Sequence, residues 1–267
     1  MNKVYKNLGY KLPIITHIPH SSISIPSEDQ INFSVSPEKL RIQVDKLNDH
    51  FTDKLFDSSL TNVTSLIFPV NRFLVDVERF EHDEHEPMSL KGMGATYTHD
   101  TDGNRFRSDL SQEFREALLD KYYRPHHSQL NNLSEQAINN FGKALIIDAH
   151  SFPDIPLSCD DNQSCPRPDI CLGTDPFHTP EWITELVKNH FKKNGFKVDI
   201  NTPYSGTMVP LNFYKKDKRL SSIMIEINRR LYLDDKYQLI QPRYKELNKC
   251  INKLLSIISN QPQFSAT

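Results

Sequence analysis

Ala144-Leu145-Ile146-Ile147-Asp148-Ala149-His150-Ser151 begins with four apolar residues and then delivers an acid and, two positions on, a histidine. Such a run reads as a buried strand ending in Asp-x-His. Side chains alternate along a strand, so Asp148 and His150 share a face. A histidine so placed could ligate a metal while a neighbouring carboxylate orients it; the alternative is a capped strand end. Ionisable groups are seldom buried unpaired, which keeps the first reading open.

Working outward, similar β-rich runs at 12–18, 63–68, 73–77, 169–172, 196–200 and 223–227 are expected as further strands. Between them lie helical patterns. Ser36-Pro37-Glu38 looks like an N-cap with proline in the first turn, and Leu40, Val44, Leu47, Phe51 and Leu55 follow at helical spacing, so a helix or helix pair should fill 37–59. A second pattern runs over 108–141, and Pro125 should kink or split it by removing a backbone donor. Thr179-Pro180-Glu181 opens a third helix that Gly195 closes, and a last one starts at Asp234 or Asp235 and carries Leu239, Leu247, Ile251, Leu254 and Leu255. Strands alternating with helices imply an α/β protein: a central, mostly parallel mixed sheet flanked by helices, in a single domain over 1–267. Two long loops, 80–107 and 151–168, are expected to ring a pocket.

Composition removes several function classes. With 32 Lys plus Arg against 34 Asp plus Glu the net charge is −2, so no positive field points to nucleic acid or to an anionic membrane surface. Apolar stretches such as 144–147 fall far short of the roughly 20 residues that span a bilayer. The N-terminal stretch lacks the apolar core of a secretory signal, and the chain reads as cytoplasmic. Only 8 glycines, in neither phosphate-loop pattern, argue against those modes of nucleotide binding. No G-x-S-x-G elbow supports serine chemistry. Cys159, Cys165 and Cys171 lack thiolate zinc spacing and read as ordinary reduced cysteines.

Four other stretches could carry chemistry. His17-Ile18-Pro19-His20-Ser21-Ser22 closes the first strand, where α/β sheets bind ligands, although two solvated loop histidines would look the same. Glu226 interrupts the apolar run 223–227; burying it ionised would cost several kcal/mol unless a cation, a metal or hydrogen bonds compensate. It is either a general base or the partner of Arg229 or Arg230. In 70–79, Arg72, Asp76 and Glu78 would share one strand face, with Arg79 opposite or in the following turn. A guanidinium there suits carboxylate recognition or a developing oxyanion, and an Arg–Asp pair across strands is the structural alternative. Of His126 and His127, one would face a pocket and the other water; His82 and His85 read as solvated, as does the charge run 215–219.

Taken in order, PHSS (19–22), RFLVDVER (72–79), YYRPHH (122–127), DAHS (148–151), NTPYSG (201–206) and IEINRRLY (225–232) resemble the N-formylglutamate amidohydrolase family over roughly residues 12 to 235. The resemblance implies a zinc-peptidase/phosphorylase-hydrolase-like fold, related to the zinc carboxypeptidases, with one divalent metal ion, zinc, at the carboxyl ends of the strands. It implies His20 and His150 as metal histidines, Asp45 as the carboxylate ligand and Glu226 as the catalytic glutamate. Two imidazoles and a carboxylate leave zinc a position for water, whose proton Glu226 would pass to the departing amine. Arg72 would polarise the scissile carbonyl or grip a substrate carboxylate, with Arg79, Asp76, Tyr204 and His126 as further substrate-binding residues. The chain departs from the family pattern at Glu78-Arg79, where Asn-Arg is usual, and lacks the family's arginines after His150 and after Gly206. The activity implied is hydrolysis of a small N-acyl amino acid, N-formyl-L-glutamate to formate and L-glutamate. A metallopeptidase or cell-wall amidase acting on a short peptide is the alternative, and a non-catalytic small-molecule-binding relative is a third.

Overall fold

Six short apolar runs hydrogen-bond into one sheet in the computed structural model, which describes residues 12–30, 32–57 and 63–262. They are β1 (Ile14–Ile18), β2 (Thr64–Ile67), β3 (Ala144–Phe152), β4 (Ile170–Gly173), β5 (Val198–Ile200) and β6 (Leu220–Asn228), in the order β2-β1-β3-β6-β4-β5. β2, β1, β3 and β6 run parallel, and so do β4 and β5; the β6–β4 contact is antiparallel. The helices are α1 (Pro37–Leu47), α2 (Thr52–Leu55), α3 (Gln112–Leu118), α4 (Arg124–Phe141), α5 (Glu181–Lys193) and α6 (Gln241–Ser259). This is the mostly parallel mixed sheet, flanked by helices, that the alternating pattern implies.

Alternation along the strands sorts the two faces. Ile147, Ala149, Ile223, Ile225 and Ile227 pack with Ile183 and Val187 of α5 and with Leu247, Ile251 and Leu254 of α6. On the other face Ile15, Leu66 and Ile146 meet Leu130, Leu133, Ala137 and Ile138 of α4. Each such side chain removed from water contributes roughly 1.5–3 kcal/mol. The second apolar layer ends where His126, in the first turn of α4, meets His17. Further along that face the strands carry Asp148, His150 and Glu226.

Two expectations need correction. Residues 73–77 form no strand: Leu74 N–H donates to Asn71 O (2.9 Å), Glu78 N–H donates to Asp76 Oδ1 (2.9 Å), and Arg107 donates to the carbonyls of Phe73 and Leu74. Side-chain and guanidinium partners thus satisfy backbone groups that a sheet would otherwise pair. Phe73, Leu74, Val75 and Val77 are buried against loop residues such as Ala95, Tyr97 and Phe106. The last helix starts at Gln241, because Asp234 accepts from the N–H groups of Lys236 and Gln238 and turns the chain first. The 37–59 stretch is a helix pair, interrupted where Phe51 takes φ 62°; residues 58 and 59 lie outside the described residues. Pro125 acts as expected: the five residues Leu119–Tyr123 form a π-helical turn between α3 and α4, where the missing proline N–H breaks the regular ladder.

Candidate active site

Proline at 19 ends β1 and sets His20, almost wholly buried, at the carboxyl edge of the sheet. Its Nε2 is 2.8 Å from Asp76 Oδ1, while its Nδ1 is buried with no hydrogen-bond partner. One strand over, His150 places Nε2 3.1 Å from Asp148 Oδ1 and Nδ1 3.0 Å from Asp49 Oδ2. Asp49 Oδ2 is also 3.8 Å from His20 Nδ1. One donor atom from each of His20, Asp49 and His150 therefore falls within 4.8 Å of the other two. Each donor is tied from behind: His20 by Asp76, His150 by Asp148, and Asp49 by Arg229 Nη2, 3.0 Å from Oδ1. Arg229 also donates to the carbonyls of Lys46 and Leu47, so it caps the end of α1 and fixes Asp49 together.

The electrostatics favour positive charge at this spot. Burial opposes a charged His150, but Asp148 and Asp49 outweigh it and hold its pKa well above the ordinary value. Burial likewise opposes ionisation of Asp49, and hydrogen bonds with His150 and His20 override it, keeping the carboxyl well below the usual range. An orphaned imidazole nitrogen, a carboxylate and a second imidazole, each oriented by another residue, fit a divalent metal ion.

Glu226 is the Cα partner of His150 across the β3–β6 pair. Neither Arg229 nor Arg230 hydrogen-bonds to it; Arg229 holds Asp49, and Arg230 pairs with Asp154 and Asp169. Its Oε2 is buried without a partner, and burial pushes its carboxyl up to about 8. These groups open into a cavity of about 820 Å³ whose walls include Arg72, Glu78, Arg79, His127 and Tyr204, with both long loops contributing Phe80, Met88, Phe152 and Leu157.

Arg72 reaches the cavity while binding Asp76 Oδ2 through Nε (3.1 Å) and Nη2 (2.8 Å). Arg79 also lines it, and its Nε has no hydrogen-bond partner. Tyr204 lines it too, but its hydroxyl is already engaged with Arg167 and Asp160. Three expected residues stand elsewhere. Asp45 is a full turn before Asp49, on the outer side of α1, where Arg41 Nε binds both its oxygens at 3.0 Å; Asp49, past the helix end and tied to His20 O through its backbone N–H, occupies the place beside the histidines. Asp76 is not a cavity wall. It is fully buried behind His20, accepts from Tyr97 and Arg72, and is held ionised, well below the usual range, because Arg72 and His20 overcome the cost of burial. His126 turns inward to His17, and it is His127 that lines the cavity.

Sequence reasoning missed Asp49 as a site residue, gave Glu78 no role beyond a shared strand face, and chose His126 of the histidine pair where His127 lines the cavity. The i,i+4 spacing of Arg41 and Asp45 was the available sign that Asp45 is engaged on the helix surface. Glu78 carried no comparable sign, since its place depends on the turn that replaces the expected strand.

An α/β sheet that gathers imidazoles, carboxylates and arginines at the carboxyl ends of its parallel strands has the arrangement of a ligand site built at that edge. Residues 12–233 match the model of the N-formylglutamate amidohydrolase family, and the chain belongs to that family. It is similar to the N-formylglutamate deformylase of Pseudomonas putida, 23% identical over 270 residues, covering 96% of this chain and 97% of the relative. Its fold is similar to the crystal structure of N-formylglutamate amidohydrolase from Ralstonia eutropha JMP134, with a TM-score of 0.82 at 24% identity over 94% of each chain. A gene product of Agrobacterium tumefaciens shares the fold at a TM-score of 0.68 and 18% identity, over 96% of this chain and 95% of that one.

Proposed function

We propose that the chain is a zinc-dependent amidohydrolase that cleaves the amide of an N-acyl amino acid, N-formyl-L-glutamate to formate and L-glutamate. The observation that carries this reading is the convergence of His20 Nδ1, Asp49 Oδ2 and His150 Nδ1 beside the unpartnered, buried Oε2 of Glu226. Two imidazoles and one carboxylate suit zinc, which when bound supplies Lewis-acid polarisation and a more acidic water. Glu226 takes the proton of the attacking water, a C–O bond forms at the acyl carbon, the C–N bond breaks, and Glu226 returns the proton to the departing nitrogen. Arg72, held rigidly by Asp76, stabilises the oxygen on which negative charge develops, and Arg79 binds a substrate carboxylate.

The test is N-formyl-L-glutamate hydrolysis by chelator-stripped protein, before and after one equivalent of zinc. Turnover that zinc does not restore overturns the reading. The cavity favours a second substrate, a short peptide: a dozen heavy atoms at a water's share of about 30 Å³ each need at most ~360 Å³, less than half of the 820 Å³ present. Faster turnover of N-acyl dipeptides than of N-formyl-L-glutamate would select it.

A further inference from the structure

Asp148 Oδ1 stands between two imidazoles: His150 Nε2 at 3.1 Å and His17 Nδ1 at 2.9 Å. His17 Nδ1 is in turn 3.4 Å from Glu78 Oε1. One donor atom from each of His17, Glu78 and Asp148 lies within 4.8 Å of the other two, a group separate from His20, Asp49 and His150. Donors bonded to a common ion at about 2.0–2.2 Å stand roughly 3–3.5 Å apart, close to the 2.9 and 3.4 Å that separate His17 Nδ1 from Asp148 Oδ1 and Glu78 Oε1.

The group shares one counter-charge, the imidazole of His150, 3.1 Å from Asp148 Oδ1 and 3.8 Å from Glu78 Oε2. His17 and Asp148 are fully buried, and Glu78 Oε1 is closed off from solvent with no hydrogen-bond partner. Among the described residues no arginine or lysine makes a salt bridge to either carboxylate. Two buried carboxylates served by that single imidazole are costly to hold ionised without a further cation. The far atoms are held as they are in the first cluster: His17 Nε2 is 2.8 Å from His126 Nε2, and Asp148 Oδ2 accepts from Met208 N–H at 2.9 Å. His17 Nδ1 lies between Asp148 Oδ1 and Glu78 Oε1, and the tautomer that carries its proton on Nε2, directed at His126, leaves the Nδ1 lone pair free for a cation.

We infer that His17, Glu78 and Asp148 form a second divalent-cation site. One nitrogen and two carboxylates make it harder than the first cluster, so it accepts Mn²⁺ and holds zinc less tightly than the first cluster does. The two sites share no donor atom, because the first uses the Nδ1 edge of His150 and the second uses Asp148 beyond its Nε2 edge. An ion there would fix Asp148 and, through it, the ring of His150.

Chelator-stripped protein loaded with one equivalent of zinc is dialysed against Mn²⁺, and both metals are counted by elemental analysis, with Mn²⁺ paramagnetic resonance as a second readout. We expect one Mn²⁺ per chain beside the zinc. Glu78→Gln and His17→Gln should each weaken Mn²⁺ binding by roughly 10-fold or more while retaining zinc, and His20→Ala should lose zinc and keep Mn²⁺. Circular dichroism melts confirm folding, and Glu78→Gln, a near-isosteric change at the cavity wall, keeps the test decisive if His17→Gln misfolds. Mn²⁺ binding that is absent, or untouched by Glu78→Gln, overturns the site. Zinc binding lost from the wild type with Mn²⁺ retained would instead count against the zinc reading alone.

Discussion

Asp45 and Asp49 are one helical turn apart, and their surroundings give them different tasks. Asp45 is neutralised by Arg41 on the surface of α1, whereas Asp49 is buried between His20, His150 and Arg229. Asp49→Ala should therefore reduce zinc affinity at least 10- to 100-fold, while Asp45→Ala leaves zinc content at the wild-type level; equal loss in both would refute the assignment. Glu226→Gln keeps the shape and removes the proposed base. Its expected signature is full zinc content with kcat lower by roughly 10²- to 10⁴-fold, and wild-type turnover in this variant would assign the proton transfer to another group. At this scale His20, His150 and Glu226 were legible because each interrupts or ends an apolar strand. Asp49 was not, since nothing local separates it from Asp45.

The element that shapes the substrate side of the cavity is the 71–79 turn segment, and it is clamped by a residue far away in sequence. Arg107, fully buried, donates to Phe73 O and Leu74 O and lies over the Phe33 ring. Removing it leaves two buried carbonyls without these donors, about 1–3 kcal/mol each. Arg107→Leu is expected to destabilise the chain by roughly that amount in urea unfolding and to raise KM, since Arg72 and Arg79 ride on the clamped segment; an unchanged urea midpoint would show the clamp to be dispensable. The periodicity of 73–77 suggested a strand because its residues are apolar and alternate no differently from those of β1 or β2. What separates it from them is the competition of Asn71, Asp76 and Arg107 for its backbone groups, and Arg107 is invisible to any local window. The register of β3 against β6, by contrast, follows from two apolar runs that each end in an ionisable group, which places His150 opposite Glu226.

Across the whole molecule the buried acids and histidines make stability depend on pH and metal together. Glu226 and Glu78 are pushed up to about 8, chiefly by burial, and His150 is held well above its ordinary value. Between pH 6.5 and 8 the folded chain therefore holds more protons than the unfolded one, so metal-free protein should lose stability as pH rises through that window, each group by up to ~1.4 kcal/mol per pH unit. Histidines lowered by burial, His17, His50, His126, His127 and His190, act below that window, where stability falls with acid instead. Under the proposed function zinc would displace the proton of His150, and at 100 times its Kd it should add about 2.7 kcal/mol. Thermal melts at pH 6.5, 7.2 and 8 with and without zinc test this: a metal-free Tm that rises with pH would contradict the charge distribution. Among the described residues no helix is long and apolar enough to cross a membrane.

From its order of residues alone this chain determined an alternating α/β fold, the two faces of its sheet, the positions of its histidines at strand ends and the burial of Glu226. Those properties follow from periodicities of 2 and 3.6 residues and from the cost of hiding a charge, all of which act within a few positions. Only the tertiary structure decided that Asp49 completes the cluster, that Asp76 supports His20 from behind, that His127 rather than His126 meets the cavity, and that His17 faces Glu78 across Asp148. Each of those outcomes joins segments tens to more than a hundred residues apart, and no local pattern encodes the distance between them.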